Sequence, residues 1–530
     1  MNYRFVLQQL GLLALVLAGA MVLVAVSMMV SGTPWRSPQM VAMTTSAGIV
    51  GAIGLVLQAV ARVRAGATLG RREALLLVGM TWLLGAVGAA LPYYLWAQFS
   101  MAVEEGHPFV SPAACYFEAM SGLTTTGATV VSDVDGLPRG LLLWRSLTHW
   151  MGGLGIVVLF VAVLPSLGVG GKRLFAAEST GPTKQGVRPQ VRETARALWL
   201  IYVGLTAAAA VLLWALGMPI FDAVNHAMSA LSTGGFSTRT SSIAAFDSAW
   251  IDVVLIAFMI IGGINFALYY RLTRGDVGEL LADRELRWYL GMIVVATALV
   301  AALLVGGSIV TTAGRELGSA ASDVDAADGV GVFTALRYAA FSVVAIQTTT
   351  GFGTSDYDLW PFKAQMVIVS LMVVGGCAGS TSGGIKVVRM VTAGKVLLSE
   401  VGRVFRPAKV RPIRFGEATV TAEMRQSTLA YVLIVGVLWV VGVLGLMLLE
   451  GGWRVGADGG VHGVNFQTAA TASFATLNNI GPGLGGVGPT DHYGGFGAPS
   501  QLLMSLLMAM GRLELFAILV LFVPSFWRRG

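Results

Sequence analysis

The 530-residue chain is 55% hydrophobic and only 12% charged. A soluble domain cannot hide that much apolar surface, whereas apolar runs of about 20 residues are what an α-helix needs to cross a hydrocarbon layer about 30 Å thick. The runs are long rather than short and alternating, which excludes a membrane β-barrel, and the net charge of +7 lies in the segments between runs, which argues against nucleic acid as a partner.

In chain order, ten long spans are predicted, near 6–30, 39–60, 73–99, 139–167, 197–217, 249–270, 288–311, 362–390, 426–449 and 499–526. The first is too long for the apolar part of a signal peptide and is read as a membrane helix. Four shorter, moderately apolar stretches lie near 111–126, 221–233, 333–350 and 464–480, each between two long spans. They are too short to cross and are read as re-entrant half-helices.

With the N-terminus placed inside and the spans alternating, 26 of the 35 Lys and Arg fall on inner segments. Loops rich in Lys and Arg stay cytoplasmic, so both termini are expected there. The outer segments carry acids such as Asp133, Asp135, Asp356, Asp358 and Asp491, which raise the local cation concentration. The basic inner loops 168–196 and 386–425 fit equally a lipid headgroup surface and a docking face for a cytosolic partner.

The half-helices end alike: Thr124-Thr125-Thr126-Gly127, Leu231-Ser232-Thr233-Gly234, Thr348-Thr349-Thr350-Gly351 and Asn478-Asn479-Ile480-Gly481. The four glycines are spaced by 107, 117 and 130 residues, which suits a helix, half-helix, helix unit. A dehydrated cation needs oxygen ligands, which backbone carbonyls pointing at an axis supply. Glycine reaches the required backbone angles without strain, and the half-helix dipole places its negative end at the ion. Thr125, Thr126, Gly127, Ser232, Thr233, Gly234, Thr349, Thr350, Gly351, Asn479, Ile480 and Gly481 are therefore the candidate ion-binding residues. The bland alternative is four glycine helix caps.

Between Gly375 and Gly384 the eighth span is crowded with Gly376, Gly379, Ser380, Thr381, Ser382 and Gly383. Each internal glycine costs a helix roughly 1 kcal/mol relative to alanine, so this span is predicted to break. Arg512 sits inside an otherwise apolar span and needs a partner or a cavity. Glu514, two residues on, faces another side of the helix and is a poor partner for it. Glu118 fits equally a role in orienting the first half-helix and a mere polar rim contact, and Lys386 reads as structural. The buried thiols Cys115 and Cys377, five scattered histidines and a Gly-Gly-Lys-Arg stretch at 170–173 without phosphate-loop spacing leave no metal or nucleotide site visible. No cofactor is expected, and any nucleotide sensing belongs to a partner.

These motifs resemble the TrkH/KtrB/HKT superfamily of K+ and Na+ translocating proteins. Trp150-Met151-Gly152-Gly153-Leu154-Gly155, Gly262-Gly263-Ile264-Asn265-Phe266, the 375–386 stretch and Met510-Gly511-Arg512-Leu513-Glu514 resemble its four inner-helix motifs, and the resemblance runs from about residue 70 to the end. It implies an all-α integral membrane protein of the bacterial inner membrane. Its parts would be a two-helix hairpin (1–68), four helix–pore-helix–helix repeats (69–170, 190–275, 285–400 and 426–530) and a basic linker (401–425). It further implies a selectivity filter at the four glycines, with Gly127 resembling the K+-selective form. The 375–384 stretch would be an intramembrane gating loop facing Arg512. The resemblance also implies a homodimer and a cytosolic nucleotide-binding regulatory subunit of TrkA type. The alternative from another class is a secondary transporter coupling a cation to H+ or Na+.

Overall fold

The computed structural model describes residues 1–61, 70–100, 106–158, 187–317, 329–406, 412–415, 418–451, 454–455, 461–462 and 464–528. The 168–186 part of the first basic loop, residues 407–411 and 416–417 of the second, and the last part of the span expected at 139–167 lie outside these.

The chain is predominantly helical. Six described helices are long and apolar enough to cross a membrane: Tyr3–Val30, Pro38–Val60, Arg71–Phe99, Glu193–Ala215, Arg284–Leu304 and Ala422–Glu450. Much of their surface faces outward and is apolar, as at Leu23, Leu433 and Leu448, which is the pattern of helices solvated by lipid. The first two pack as a hairpin in which Gly11 and Gly54 let the backbones touch. A methyl on Gly54 would sit 2.9 Å from the Gly11 carbonyl oxygen, the small-residue approach that substitutes for a hydrophobic driving force in lipid.

Not all of the expected spans are single straight helices among the described residues. Two of the expected spans are bent pairs, Ala249–Gly262 with Phe266–Leu272 at 95° and Ala498–Arg512 with Phe516–Phe522 at 119°. Each bend has a local cause. At the first, Gly262-Gly263 weakens the helix, and Asn265 accepts the Ala267 amide to start the next one. At the second, Glu514 and Leu515 have φ of 57° and 63°, angles costly for side-chain-bearing residues. The span expected at 362–390 stops at Met372 and resumes as Val387–Phe405, so the predicted break occurs over 373–386.

The four half-helices are Pro112–Leu123, Ile220–Leu231, Val332–Gln347 and Phe466–Leu477. At 1.5 Å per residue a 12-residue helix is about 18 Å long, roughly half of what a crossing needs. Proline starts the first at its N-terminus and caps the second, positions where a missing amide proton costs nothing.

Candidate ion pathway

Every half-helix ends in one backbone pattern. A capping residue is followed by a residue of positive φ, then one more residue, then a glycine of positive φ. The first positive-φ residues are Thr125 (52°), Thr233 (53°), Thr349 (57°) and Asn479 (56°), and the glycines are Gly127 (79°), Gly235 (83°), Gly351 (77°) and Gly481 (96°). In the second repeat the equivalent glycine is therefore Gly235, one position later than the Gly234 that sequence alignment selects. The Gly234-Gly235 pair makes the register ambiguous as text, and the dihedral angles resolve it.

These segments close into a ring. A methyl placed on Gly127 would lie 2.2 Å from the Gly234 carbonyl oxygen, one on Gly235 1.9 Å from that of Thr350, one on Gly351 2.1 Å from that of Ile480, and one on Gly481 2.7 Å from that of Thr126. Each glycine thus abuts the carbonyl that precedes its counterpart in another repeat, and the fourth contact returns to the first segment. No side chain fits at any of the four. The same four glycines line one vestibule, together with Arg145, Arg239, Asp491 and Tyr493.

Side chains lock the segments behind the ring. Thr124 and Thr126 share a hydroxyl hydrogen bond of 2.7 Å, and Thr348 and Thr350 repeat it at 2.7 Å. In the fourth segment Asn479 donates through Nδ2 to Thr126 Oγ1 at 3.0 Å and to the Met508 carbonyl at 2.9 Å, so its amide bridges the fourth and first repeats, whereas the threonine pairs bond within their own segments. Ser232, Thr233, Thr349 and Ile480 are fully buried. Inner-helix glycines meet the half-helix ends closely: a methyl on Gly152, Gly262 or Gly511 would lie 2.0, 2.8 or 1.8 Å from the carbonyl oxygen of Leu123, Leu231 or Leu477.

The 373–386 loop packs beneath this assembly and is hydrogen-bonded along its length. Gly375 donates to the Ile385 carbonyl, Cys377 to that of Gly263 and Thr381 to that of Gly262. Gly376 N–H reaches Ser382 Oγ at 2.9 Å, and Ser380 shares a hydroxyl hydrogen bond with Ser382. Three contacts join the loop directly to the ring segments: Gly383 N–H donates to Thr349 Oγ1 at 2.6 Å, Thr381 Oγ1 donates to the Leu231 carbonyl at 2.9 Å, and Thr233 Oγ1 donates to Thr381 Oγ1 at 3.4 Å. Gly379 and Gly384 have φ of 75° and 67°, so the tight turns at those two points require glycine. Arg512 is 3% exposed and donates to the Thr381 carbonyl at 2.5 Å and the Gly152 carbonyl at 3.4 Å. The loop and the arginine thus meet. Lys386 is buried and donates to the Ser382 carbonyl.

Some of the residues that hold this assembly, Glu285 and Arg389 among them, carry no simple sequence signal. Glu285 accepts the Ala378 and Val388 amides at 2.9 and 3.1 Å, gripping both arms of the loop. Glu514 pairs with Arg389, which also lies over the Tyr431 ring at 4.2 Å. Arg145 pairs with Glu118 in the protein interior. As a charge inside an apolar stretch, Arg145 had the same signal that singled out Arg512. At the rim of the vestibule, burial pushes the Asp356 and Asp491 carboxyls above the ordinary carboxylate range, and neighbouring Asp358 adds to both.

A helical membrane protein in which four half-helices converge on one ring of glycines is a class to which known proteins can be compared. The family model of the TrkH cation transport proteins matches residues 47–529, and the chain belongs to that family. It is 34% identical to the Trk system potassium uptake protein TrkH of Salmonella typhimurium over 531 residues, all of both chains. It is 32% identical to TrkG of Escherichia coli over 467 residues, 88% of this chain and 87% of that one. The crystal structure of the potassium transporter TrkH from Vibrio parahaemolyticus superposes over the whole of both chains with a TM-score of 0.83 at 30% identity.

Proposed function

We propose that this protein carries K+ across the bacterial inner membrane through the ring of Gly127, Gly235, Gly351 and Gly481, with the vestibule facing outward and both termini in the cytoplasm. The observation that carries the reading is the cyclic contact of each glycine with a carbonyl of another repeat, which gathers backbone oxygens from all four repeats around one axis. A dehydrated monovalent cation is the ligand such oxygens suit. The half-helices bring their negative ends to the same place. Names of relatives in the Trk potassium uptake system favour K+ over Na+, and the asymmetry of Lys and Arg between loops favours the orientation.

In this reading the 375–384 loop is the gate. It lies under the ring, donates to Thr349 Oγ1, and is braced by Arg512 from the fourth repeat. A positive side chain under a cation filter is an electrostatic barrier that must move for ions to pass. The working unit is a homodimer, and the basic faces are where a cytosolic nucleotide-binding subunit of TrkA type sets the gate.

The test is flux of K+, Rb+ and Na+ into vesicles carrying the purified protein. K+ and Rb+ are expected to exceed Na+, and Gly351→Ser to reduce that preference, because its side chain meets the Ile480 carbonyl. An unchanged ratio in a folded Gly351→Ser protein overturns the filter assignment. Flux tied stoichiometrically to H+ or Na+ movement would favour the coupled transporter instead.

A further inference from the structure

Behind the ring on its vestibule side lies a buried ion pair whose arginine also reaches the vestibule wall. Glu118, on the first half-helix, is fully buried and Arg145, on the following helix, is 2% exposed. The guanidinium Nε donates to Glu118 Oε1 at 2.8 Å. Two buried charges are costly unless their remaining hydrogen-bonding capacity is used, and here it is spent on the segments leaving the ring. Glu118 accepts the Val130 amide at 2.9 Å and the Thr129 hydroxyl at 3.0 Å. Arg145 Nη2 donates to Thr129 Oγ1 at 3.1 Å, and Nη1 crosses to the second repeat to donate to the Ser237 carbonyl at 3.2 Å. The same guanidinium lies over the Phe236 ring at 4.0 Å, and His149 stacks on that ring, also at 4.0 Å.

Thr129 and Ser237 each lie two residues beyond their ring glycines, Gly127 and Gly235. The second repeat has a neutral counterpart of the first contact, with His226 Nε2 and Ser237 Oγ 2.9 Å apart. The third and fourth repeats have Ser342 and Ala472 at the position of Glu118 and Gly353 and Gly483 at that of Thr129, so no ion pair is built there. The charged brace thus serves one side of the ring, joining the first segment to the second.

We propose that Glu118 and Arg145 are a positioning pair for selectivity, fixing the spacing between the first and second ring segments so that their carbonyls fit one ion size in preference to another. This rests on the filter reading above. Charge-assisted hydrogen bonds in a dry interior are short and directional, and the rigid planar guanidinium holds Glu118, Thr129 and Ser237 in fixed directions, which the rotating donors of a lysine ammonium do not. The carboxylate also balances a positive charge that would otherwise stand beside an entering cation.

The experiment uses full-length protein in vesicles, with Glu118→Gln, Arg145→Lys and the double variant compared beside Gly351→Ser. Elution volume and thermal stability in detergent establish folding. Glu118→Gln and Arg145→Lys are each expected to lower the K+/Na+ flux ratio by about tenfold, the size of effect a lost charge-assisted hydrogen bond supports, with K+ flux itself largely kept. The double variant should lose little more than either single one. Should Glu118→Gln not fold, Arg145→Lys, which keeps the charge, decides alone. The proposal is overturned by a wild-type ratio in a folded variant, or by K+, Rb+ and Na+ fluxes that fall together. If Gly351→Ser changes the ratio and the pair variants do not, the pair fails and the filter stands. If Gly351→Ser also leaves it unchanged, the filter reading itself fails.

Discussion

At the scale of single residues, the ring is a problem in backbone angles. Gly235 combines a φ of 83° with a methyl-to-carbonyl distance of 1.9 Å, so alanine there is penalised twice, by conformation and by collision with backbone that cannot rotate away. Gly204, on a lipid-side helix, has nothing within 4 Å of its Cβ position. Gly235→Ala is expected to abolish selective K+ flux, whereas Gly204→Ala should leave flux intact and cost no stability, since alanine is about 1 kcal/mol better than glycine within a helix. Selective flux at wild-type level in Gly235→Ala would return the position to Gly234. Three of the four ring glycines are legible as text because a single glycine closes the segment, directly after the threonines in the first and third repeats and one residue after the asparagines in the fourth. The second repeat offers two in succession, and the choice between them depends on a left-handed residue at Thr233 that its side chain does not announce.

At the scale of elements, the half-helices are readable because length and polarity separate them from spans, and the break after Met372 is readable because glycines crowd it. What holds the broken segment is not. Its partners come from Gly262 and Gly263, from Glu285 and from Arg512, over a hundred residues away on either side in the extreme cases, and no local pattern links them. The same holds for Arg389 and Glu514, 125 positions apart, where the unfavourable φ at the 119° bend is stabilised by a tertiary ion pair. The loop is thus held mainly by hydrogen bonds to distant parts of the chain, with Val374, Cys377 and Ile385 buried among core side chains. Deleting Ser380, Thr381 and Ser382 removes the oxygens that Arg512 and Gly376 use, along with the hydroxyl on Leu231. Basal K+ flux without any regulator is expected to rise several-fold, and thermal stability to fall, because each lost internal hydrogen bond contributes about 1 kcal/mol. If flux stays low in a protein that still folds, the barrier lies elsewhere in the pathway.

At the scale of the whole molecule, the charges sort around the ring. The vestibule contains Arg145 and Arg239, and each is matched: Arg145 by Glu118, Arg239 by Asp222 at 3.1 Å and Asp135 at 3.3 Å. With those positive groups balanced, Asp491 on the vestibule wall and Asp356 and Asp358 next to it leave a negative field at the mouth. Such a field acts on how often ions arrive rather than on how they fit, and salt screens it, over about 30 Å at 0.01 M and about 3 Å at 1 M. Asp491→Asn should therefore slow K+ entry a few-fold at low ionic strength, converge on wild type at high ionic strength, and leave the K+/Na+ ratio alone. The sign with pH follows from the raised Asp491 carboxyl. It takes up its proton at a higher pH than an ordinary aspartate, so acidifying the vestibule side erodes the wild-type advantage early, while Asp491→Asn lacks that component of the pH response. Initial rates at two salt concentrations across the acidic range measure both effects. A salt-independent difference between the proteins would mean that Asp491 acts by holding the loop through its contacts and not through its charge.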